Sequence, residues 1–474
     1  MRYRMTMTMR LIRVMVVLSA IASVAAASGD PPLVQAVKSG DTAAVRTLLK
    51  QKVDVNATAP DGTTALHWAV HRDDAEVATA LIGAGANVET PNRYGVTPLA
   101  LACLNANPRV VELLLKSGAN PNATSSPDGE TPLMTAARTG NDAAVKLLLD
   151  RGAQIGTKEN WRGQDALMWA AAEGHKAVVQ LLLEKGADVN TKSKQGYSPL
   201  LFAARQGYLD IVGSLIAAGA DLNATQAQGA SALIIAIQNA HWDVAGLLID
   251  KGAGPNVSST GFTPLHLATQ VRRPEVLKFA VPASTDKLDS FDIIKALIDH
   301  GADVNAGMTK AFIGLRPPLD MPLAGATPFF LAARVCDLPV MRLLVEKGAN
   351  PLTRTKENAT PLMAAAGVGY RQGESPGTEE EALAAVKMAL ELGDDVNAAN
   401  GIGFTALHGA AIRGANSIIQ FLVDHGARID AKDKRGRTPF TVADEGAGDS
   451  NQRRQLATAA FLRELMTRQQ SRQR

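Results

Sequence analysis

The chain of 474 residues contains few of the groups from which catalytic and cofactor sites are built. It has only two cysteines and no C-x-x-C pair, which excludes the common thiol redox and haem-attachment motifs. The motifs H-E-x-x-H and G-x-S-x-G are absent, and no glycine-rich loop ends in G-K-[S/T]. We therefore predict no catalytic residue, no metal site and no cofactor.

Aromatic residues are also scarce, at 4% of the chain. The apolar residues are mainly Ala, Leu and Val, which suit small interlocking helices. What the sequence has in plenty is glycine at regular intervals. A turn glycine recurs in steps of 33, 34, 34, 33, 33 and 32 residues, and a second glycine, usually followed by Ala, normally comes 23 residues after it. Such a period indicates a stack of repeated units. The turn glycines are Gly62, Gly95, Gly129, Gly163, Gly196, Gly229 and Gly261.

Residues 161–192 show the repeat unit in full. The pattern predicts a first helix over residues 165–173, a turn at Gly174-His175, and a second helix over residues 176–184 that Gly186 ends. An apolar stripe at helical spacing is predicted to face the neighbouring repeats, and it consists of Ala177, Val178, Leu181 and Leu182.

These motifs resemble the ankyrin repeat. The match is close at residues 261–266 (GFTPLH), 403–408 (GFTALH) and 186–190 (GADVN). The resemblance implies an all-α solenoid of about twelve helix-turn-helix repeats with β-turn fingers. The array would span residues 28–470, with degenerate caps at about 32–60 and 436–468 and insertions at about 272–287, 307–323 and 369–380.

Residues 1–27 differ in composition from the array. Four arginines and no acid precede or flank a largely apolar run, and Ala25-Ala26-Ala27 offers a small-residue cleavage site. This predicts a signal peptide, and therefore an exported protein, periplasmic or secreted. The rival interpretation, a membrane anchor, would need about 20 apolar residues. Without residues 1–27 the chain has 45 basic and 46 acidic residues, so its charge does not favour nucleic acid.

The two cysteines are predicted to lie six repeats apart, too far for a disulfide within one molecule. Cys103 occupies a core position, whereas Cys336 stands where a glycine usually turns the chain, so we expect it to be more exposed. Three histidines stand at the H of the T-P-L-H motif, where the resemblance implies structural hydrogen bonds and not metal ligation: His67, His266 and His408. Five Asn-x-Ser/Thr triplets are interpreted as repeat ends, not as glycosylation sites.

The resemblance also implies where a partner would bind, because ankyrin arrays generally use the finger tips and the exposed ends of the first helices. Aligning the repeats places basic or aromatic residues at these positions. At the helix ends they are Arg72, Arg138, Arg205, Arg334 and Arg413, and at the fingers Arg93, Tyr94, Trp161, Arg162, Lys194 and Tyr197, with Phe262 and Phe404 aligned to the same region. The alternative is that the arginines are ordinary solvated helix ends.

The function predicted from these features is that of a non-catalytic protein–protein interaction scaffold. We expect a monomer whose partner is a protein, with an acidic surface, and no membrane span after signal cleavage. A second hypothesis is a host-directed secreted effector. A third, an enzyme with its site in the insertions, is disfavoured because residues 307–323 and 369–380 contain no His or Cys.

Overall fold

The computed structural model describes residues 29–125, 128–257, 261–273, 285–310, 322–370, 377–446 and 454–473. The predicted signal peptide and the centres of the three predicted insertions lie outside these residues. The chain divides into two compact units, Met1–Asp188 and Val189–Arg474. All regular elements of the described residues are helices, arranged in consecutive pairs.

The described residues of unit 1 form five helix pairs. Within a pair the first helix packs on the second, and first helices also pack on the first helices of neighbouring pairs. The helices are α1 (Pro32–Ser39), α2 (Thr42–Lys50), α3 (Ala65–His71), α4 (Ala75–Gly83), α5 (Pro98–Leu104), α6 (Pro108–Lys116), α7 (Pro132–Thr139), α8 (Asp142–Asp150), α9 (Ala166–Glu173) and α10 (Lys176–Glu184).

In the part of unit 2 that the structure describes, seven pairs of the same kind follow. The helices are α11 (Pro199–Gln206), α12 (Leu209–Ala217), α13 (Ala232–Gln238), α14 (Trp242–Asp250), α15 (Pro264–Arg272), α16 (Ser290–Asp299), α17 (Pro328–Arg334), α18 (Leu338–Glu346), α19 (Pro361–Ala366), α20 (Glu379–Glu391), α21 (Ala406–Arg413), α22 (Asn416–Asp424), α23 (Pro439–Glu445) and α24 (Leu456–Gln473).

Local sequence signals set the helix bounds. A Thr or Ser before most first helices accepts a backbone hydrogen bond, as where Ala100 N donates to Thr97 Oγ1 at 3.2 Å, and the following proline suits the first turn. The second helix predicted over residues 176–184 is confirmed as α10. Its buried stripe, however, is Val178, Val179 and Leu182, while Ala177 is exposed. Of the predicted stripe, Val178 and Leu182 are therefore confirmed as buried, whereas Leu181 is half-buried and Ala177 does not belong to it.

The glycine between the helices of a pair is required by close contact as well as by its backbone. Gly140 has φ +75°, and a Cβ there would lie 2.4 Å from Nδ1 of His175 in the next repeat. His175 Nε2 lies 2.8 Å from the carbonyl oxygen of Arg138. In unit 2, Gly207 and His241 repeat this arrangement. The histidines that follow the turn residue, in Gly174-His175 and Ala240-His241, thus join neighbouring repeats.

Cys336 occupies the same turn position, with φ +55°, but the prediction that it is exposed is wrong. Its exposed fraction is 1%. The reason is Gly377, which leads into α20 of the next repeat and lies so close that a Cβ there would be 3.2 Å from the Cβ of Cys336. In this repeat the turn residue is Cys336, and the glycine that permits the close contact is Gly377 of the next repeat. Burial raises the pKa of the Cys336 thiol.

The buried T-P-L-H histidines join each first helix to the next repeat. Thr64 N donates to His67 Nδ1, and His67 Nε2 donates to the carbonyl oxygen of Val96 at 3.0 Å. His266 and His408 make equivalent contacts in unit 2. Burial lowers the pKa of each of the three, to about 4 for His266. These contacts confirm the structural role expected of the three histidines.

Asparagines near the repeat ends form a second ladder. Asn56 Nδ2 donates to Gly85 O at 3.2 Å, and its Oδ1 accepts from Asn87 N at 2.7 Å. In unit 2, Asn256 donates to Gly301 O at 2.8 Å. Because both ends of the side-chain amide of Asn56 are engaged, these contacts favour the structural interpretation of the Asn-x-Ser/Thr triplets.

Candidate functional site

The candidate site is built on the fingers, the turns that precede each first helix. A backbone N–H of one finger donates to a carbonyl oxygen of the finger before it. In unit 1, Arg93 N donates to Asp61 O at 2.8 Å and Asn160 N to Asp128 O at 2.6 Å. In unit 2, Lys356 N donates to Ala324 O at 2.8 Å. The finger tips of one unit are therefore held in fixed relation to their neighbours.

The finger of residues 92–97 exposes an aromatic–cation pair. Asn92 Oδ1 accepts from Tyr94 N and Val96 N, both at 3.0 Å, which shapes the turn. Tyr94 is 41% exposed. Arg93 donates from Nη2 to the Tyr94 hydroxyl at 3.1 Å, and its guanidinium lies 5.3 Å from the ring centroid.

The finger of residues 159–165 exposes a second pair. Glu159, only 6% exposed, accepts from Trp161 N at 2.6 Å, Arg162 N at 2.8 Å and Gln164 N at 3.0 Å. Trp161 is 49% exposed, and the Arg162 guanidinium lies 4.0 Å from its ring centroid. Asp165, 3% exposed, caps α9 by accepting from Met168 N.

This second finger is one residue longer than the first. The turn hydrogen bond runs from Gly163 N to Glu159 O, four residues back, whereas Gly95 N donates to Asn92 O, three residues back. The longer Glu side chain spans the larger turn from inside. Glu159 was not among the residues predicted from sequence. The step of 34 residues between Gly129 and Gly163 was nevertheless a signal that this repeat contains an extra residue.

The first-helix ends of unit 1 carry Arg72 and Arg138. Arg72 is exposed and donates to Lys38 O at 3.3 Å. Arg138 is half-buried, lies 3.1 Å from Glu130 in an ion pair, and stands over the Trp169 ring at 5.5 Å. Both lie at helix ends as predicted, but Arg138 is partly neutralised by the finger of its own repeat.

Unit 2 places its predicted residues less uniformly. Lys194 is exposed, Arg205 is half-buried, and the half-buried Tyr197 ring lies 5.2 Å from that of Phe202. The prediction of an exposed position is wrong for Arg334, which is 8% exposed. It is wrong in part for Arg413, which is half-buried and turned inward.

The inward direction of Arg413 has a clear cause. The guanidinium donates to Gly377 O at 3.1 Å and Ala365 O at 3.4 Å, and it lies 4.6 Å from the centroid of the Tyr370 ring. Tyr370 and Gly377 both lie within the predicted insertion of residues 369–380. These intramolecular contacts thus engage the Arg413 guanidinium, which was expected to contact a partner.

Phe262 and Phe404 are buried, at 6% and 1% exposure, so their alignment with exposed finger positions is wrong. Each follows the turn glycine and therefore points beneath the finger, and Phe404 stacks on His408. The apolar tip of the tenth-repeat finger is instead Ile402, 39% exposed, which sequence reasoning missed.

Within the described ranges, no group of three or more His, Cys, Asp or Glu side chains is arranged to hold a metal ion. Nor does any helix in the same part of the chain combine the length and apolar character needed to cross a membrane.

Family models match most of the chain. The model described as "Ankyrin repeats (3 copies)" matches residues 33–125, 123–193, 200–308 and 378–451, and the model described as "Ankyrin repeat" matches residues 324–356. The chain therefore belongs to the ankyrin repeat family, and the predicted all-α fold of stacked helix pairs is confirmed. Proteins of this family typically act as protein-interaction scaffolds.

Curated relatives share part of the chain. Human "Ankyrin repeat and SOCS box protein 16" is 31% identical over 36% of this chain and 42% of its own length. Human "Protein phosphatase 1 regulatory subunit 27" is 33% identical over 20% of this chain and 61% of its own length. The chain thus spans less than two-thirds of each. The crystal structure of the human ASB11 ankyrin repeat domain is 29% identical, with a TM-score of 0.44, over 48% of this chain and 99% of that one.

Proposed function

We propose that this protein is a non-catalytic, exported scaffold that binds a protein partner through its finger tips and first-helix ends. The observation that carries the proposal is the exposure of Tyr94 and Trp161, 41% and 49%, on fingers that are each joined by a backbone hydrogen bond to the finger before. Tyr, Trp and Arg are the usual anchors of protein interfaces.

Rigidity supports this function. A surface whose turns are already hydrogen-bonded loses little conformational entropy when a partner binds. The Asn92 and Glu159 side chains fix their turns from within, so each aromatic side chain is presented by an ordered backbone. Binding energy is then available for affinity instead of for ordering a loop.

Export is proposed from the sequence of residues 1–27 alone, which predicts removal after Ala27. N-terminal sequencing of the protein from the exported fraction should find Ser28 or a nearby residue first. A chain that begins at Met1 there would contradict cleavage. The host-directed effector is the second possibility, and recovery of the protein inside host cells would favour it.

Binding is tested by site-specific cross-linking. A photoreactive amino acid at position 161 or 94 should join the partner covalently, whereas the same group at Arg109, exposed on α6, should not. The partner identified by cross-linking is then purified, and its affinity for the Tyr94→Ala, Arg138→Glu and Arg109→Ala variants is measured. Equal cross-linking at positions 161, 94 and 109 would contradict the proposed binding face.

A further inference from the structure

The finger of residues 159–165, taken together with Lys158 just before it, carries its negative charges on the buried side and its positive charges nearer the surface. Its two carboxylates, Glu159 and Asp165, are 6% and 3% exposed and accept backbone hydrogen bonds. Its two cations lie nearer the surface than these carboxylates, with Lys158 exposed and Arg162 half-buried over the Trp161 ring. The outer surface of this finger therefore combines an exposed indole with positive charge.

Glu159 controls how the indole is presented. Its carboxylate accepts hydrogen bonds from the backbone of Trp161, Arg162 and Gln164, which are the residues of the tip and the one just after the turn glycine. Hydrogen bonds to an ionised acceptor are stronger than those between neutral groups. The carboxylate thus stabilises one conformation of a turn that is a residue longer than the finger of residues 92–97.

We infer that this finger is the principal anchor of the interface, that Trp161 packs against apolar side chains flanked by carboxylates on a partner protein, and that Glu159 is its positioning residue. This inference rests on the proposed function. An indole supplies large apolar contact area, and the neighbouring cations favour an acidic rim while repelling a basic one.

The first test needs no partner. Trp68 and Trp242 are buried and Trp169 is half-buried, so Trp161 dominates quenching of the intrinsic fluorescence by aqueous ions. At low salt, iodide should quench the Trp161 component, defined by difference from Trp161→Phe, more strongly than caesium does. Lys158→Glu/Arg162→Glu should reverse this order. Stronger quenching by caesium in the unmodified protein would overturn the positive surface.

The second test uses defined peptides measured by fluorescence polarisation. A short peptide in which Glu alternates with Phe should bind, and its Lys-for-Glu counterpart should bind at least tenfold more weakly. Trp161→Ala should weaken binding of the Glu-Phe peptide at least tenfold, and Arg109→Glu on α6 should change it less than twofold. Equal binding of the two peptides would overturn the acidic specificity.

The role of Glu159 is tested by rescue. Glu159→Ala should lower the affinity for the Glu-Phe peptide severalfold and lower the fluorescence anisotropy of Trp161. Glu159→Gln, which keeps one acceptor oxygen, should restore part of both. Unfolding midpoints establish that the variants fold. If both variants keep the affinity and anisotropy of the unmodified protein, Glu159 does not position the finger.

The outcomes separate this inference from the proposed function. One outcome is that Tyr94→Ala and Arg138→Glu weaken binding of the peptide or of the cross-linked partner when Trp161→Ala does not. In that case the finger of Trp161 is not the principal anchor, and the proposed scaffold function is retained. If none of the three affects either ligand, both proposals are overturned.

Discussion

Two arginines of this protein, one in each unit, stand over an aromatic ring but in different surroundings. In unit 1, Arg162 lies over an indole that is 49% exposed, at the tip of a finger. In unit 2, Arg413 lies over the Tyr370 ring and donates to backbone carbonyls. Both residues are aligned with surface positions of the repeat. Both arginines are half-buried, and they differ in what they contact: Arg162 borders a solvent-exposed ring on a finger, whereas Arg413 is held by backbone carbonyls beside a half-buried ring.

The region around Arg413 is a connected ion-pair network. Arg272 Nε lies 2.8 Å from Oδ2 of Asp337, which is 1% exposed, and Arg273 donates to Cys336 O at 3.1 Å. Arg273 also pairs with Glu381, and this hydrogen bond lowers the pKa of the Glu381 carboxyl. The cations here join the seventh to tenth repeats of unit 2 to one another. We therefore expect substitutions in this network to affect stability and substitutions in the unit 1 fingers to affect binding.

The largest effect is expected at Asp337. Asp337→Ala removes both the partner of Arg272 and the acceptor for Val340 N, and it should lower the free energy of unfolding by about 2 to 4 kcal/mol. Asp41→Ala in unit 1 is the matched control, since Asp41 also caps a helix but is exposed, and it should cost about 1 kcal/mol. Urea unfolding measures both, and equal costs would show that the ion pair contributes nothing.

The buried histidines should make stability depend on pH. The pKa of His266 in the folded protein is about 4, below its ordinary value of 6.5, so the unfolded chain takes up the proton first as pH falls. The stability contributed by neutral His266 is present above pH 6.5 and is lost between pH 6.5 and 4, by an amount on the order of 2 to 3 kcal/mol. Urea unfolding of a His266→Asn variant should show a flatter pH dependence over this interval, and an unchanged slope would contradict the assignment.

Arg413 and Arg72 provide the most direct comparison of the two units. Arg413→Ala should lower the free energy of unfolding by about 1 to 2 kcal/mol, because it removes charge-assisted hydrogen bonds and the contact with Tyr370. Arg72→Ala should change it by less than about 0.5 kcal/mol, since Arg72 is exposed. If the two variants unfold at the same urea concentration, the inward contacts of Arg413 are not stabilising.

The smallest effect concerns salt. Exposed charges interact over a Debye length of about 10 Å at 0.1 M and about 3 Å at 1 M ionic strength. Association through Lys158 and Arg162 should therefore slow severalfold between these conditions, and Lys158→Gln/Arg162→Gln, which removes both charges, should abolish this dependence. Arg413→Ala should leave it unchanged. Stopped-flow rates with the cross-linked partner measure the difference, and a salt dependence that survives the double variant would place the steering charges elsewhere.

Many features of the fold could be predicted because they depend on neighbours at a fixed sequence separation. His67 contacts Val96 and Asn56 contacts Gly85, each 29 residues away, and the same contacts recur along both units. Helix bounds depend on even shorter separations, such as Thr97 to Ala100. The period and its apolar pattern therefore determined the stack of helix pairs and its turns, and the resemblance to the ankyrin repeat implied the all-α solenoid and the structural role of its histidines.

The tertiary structure alone decided which surface residues remain exposed. Cys336 is buried by Gly377, and Arg413 is turned inward by Tyr370 and Gly377, both of which lie within the predicted insertion of residues 369–380. The extra residue of the Glu159 finger changes the turn without changing the motif that follows. A repeat pattern cannot specify such contacts, because they join residues outside the period, and burial depends on which segments fold over a position and not on the position itself.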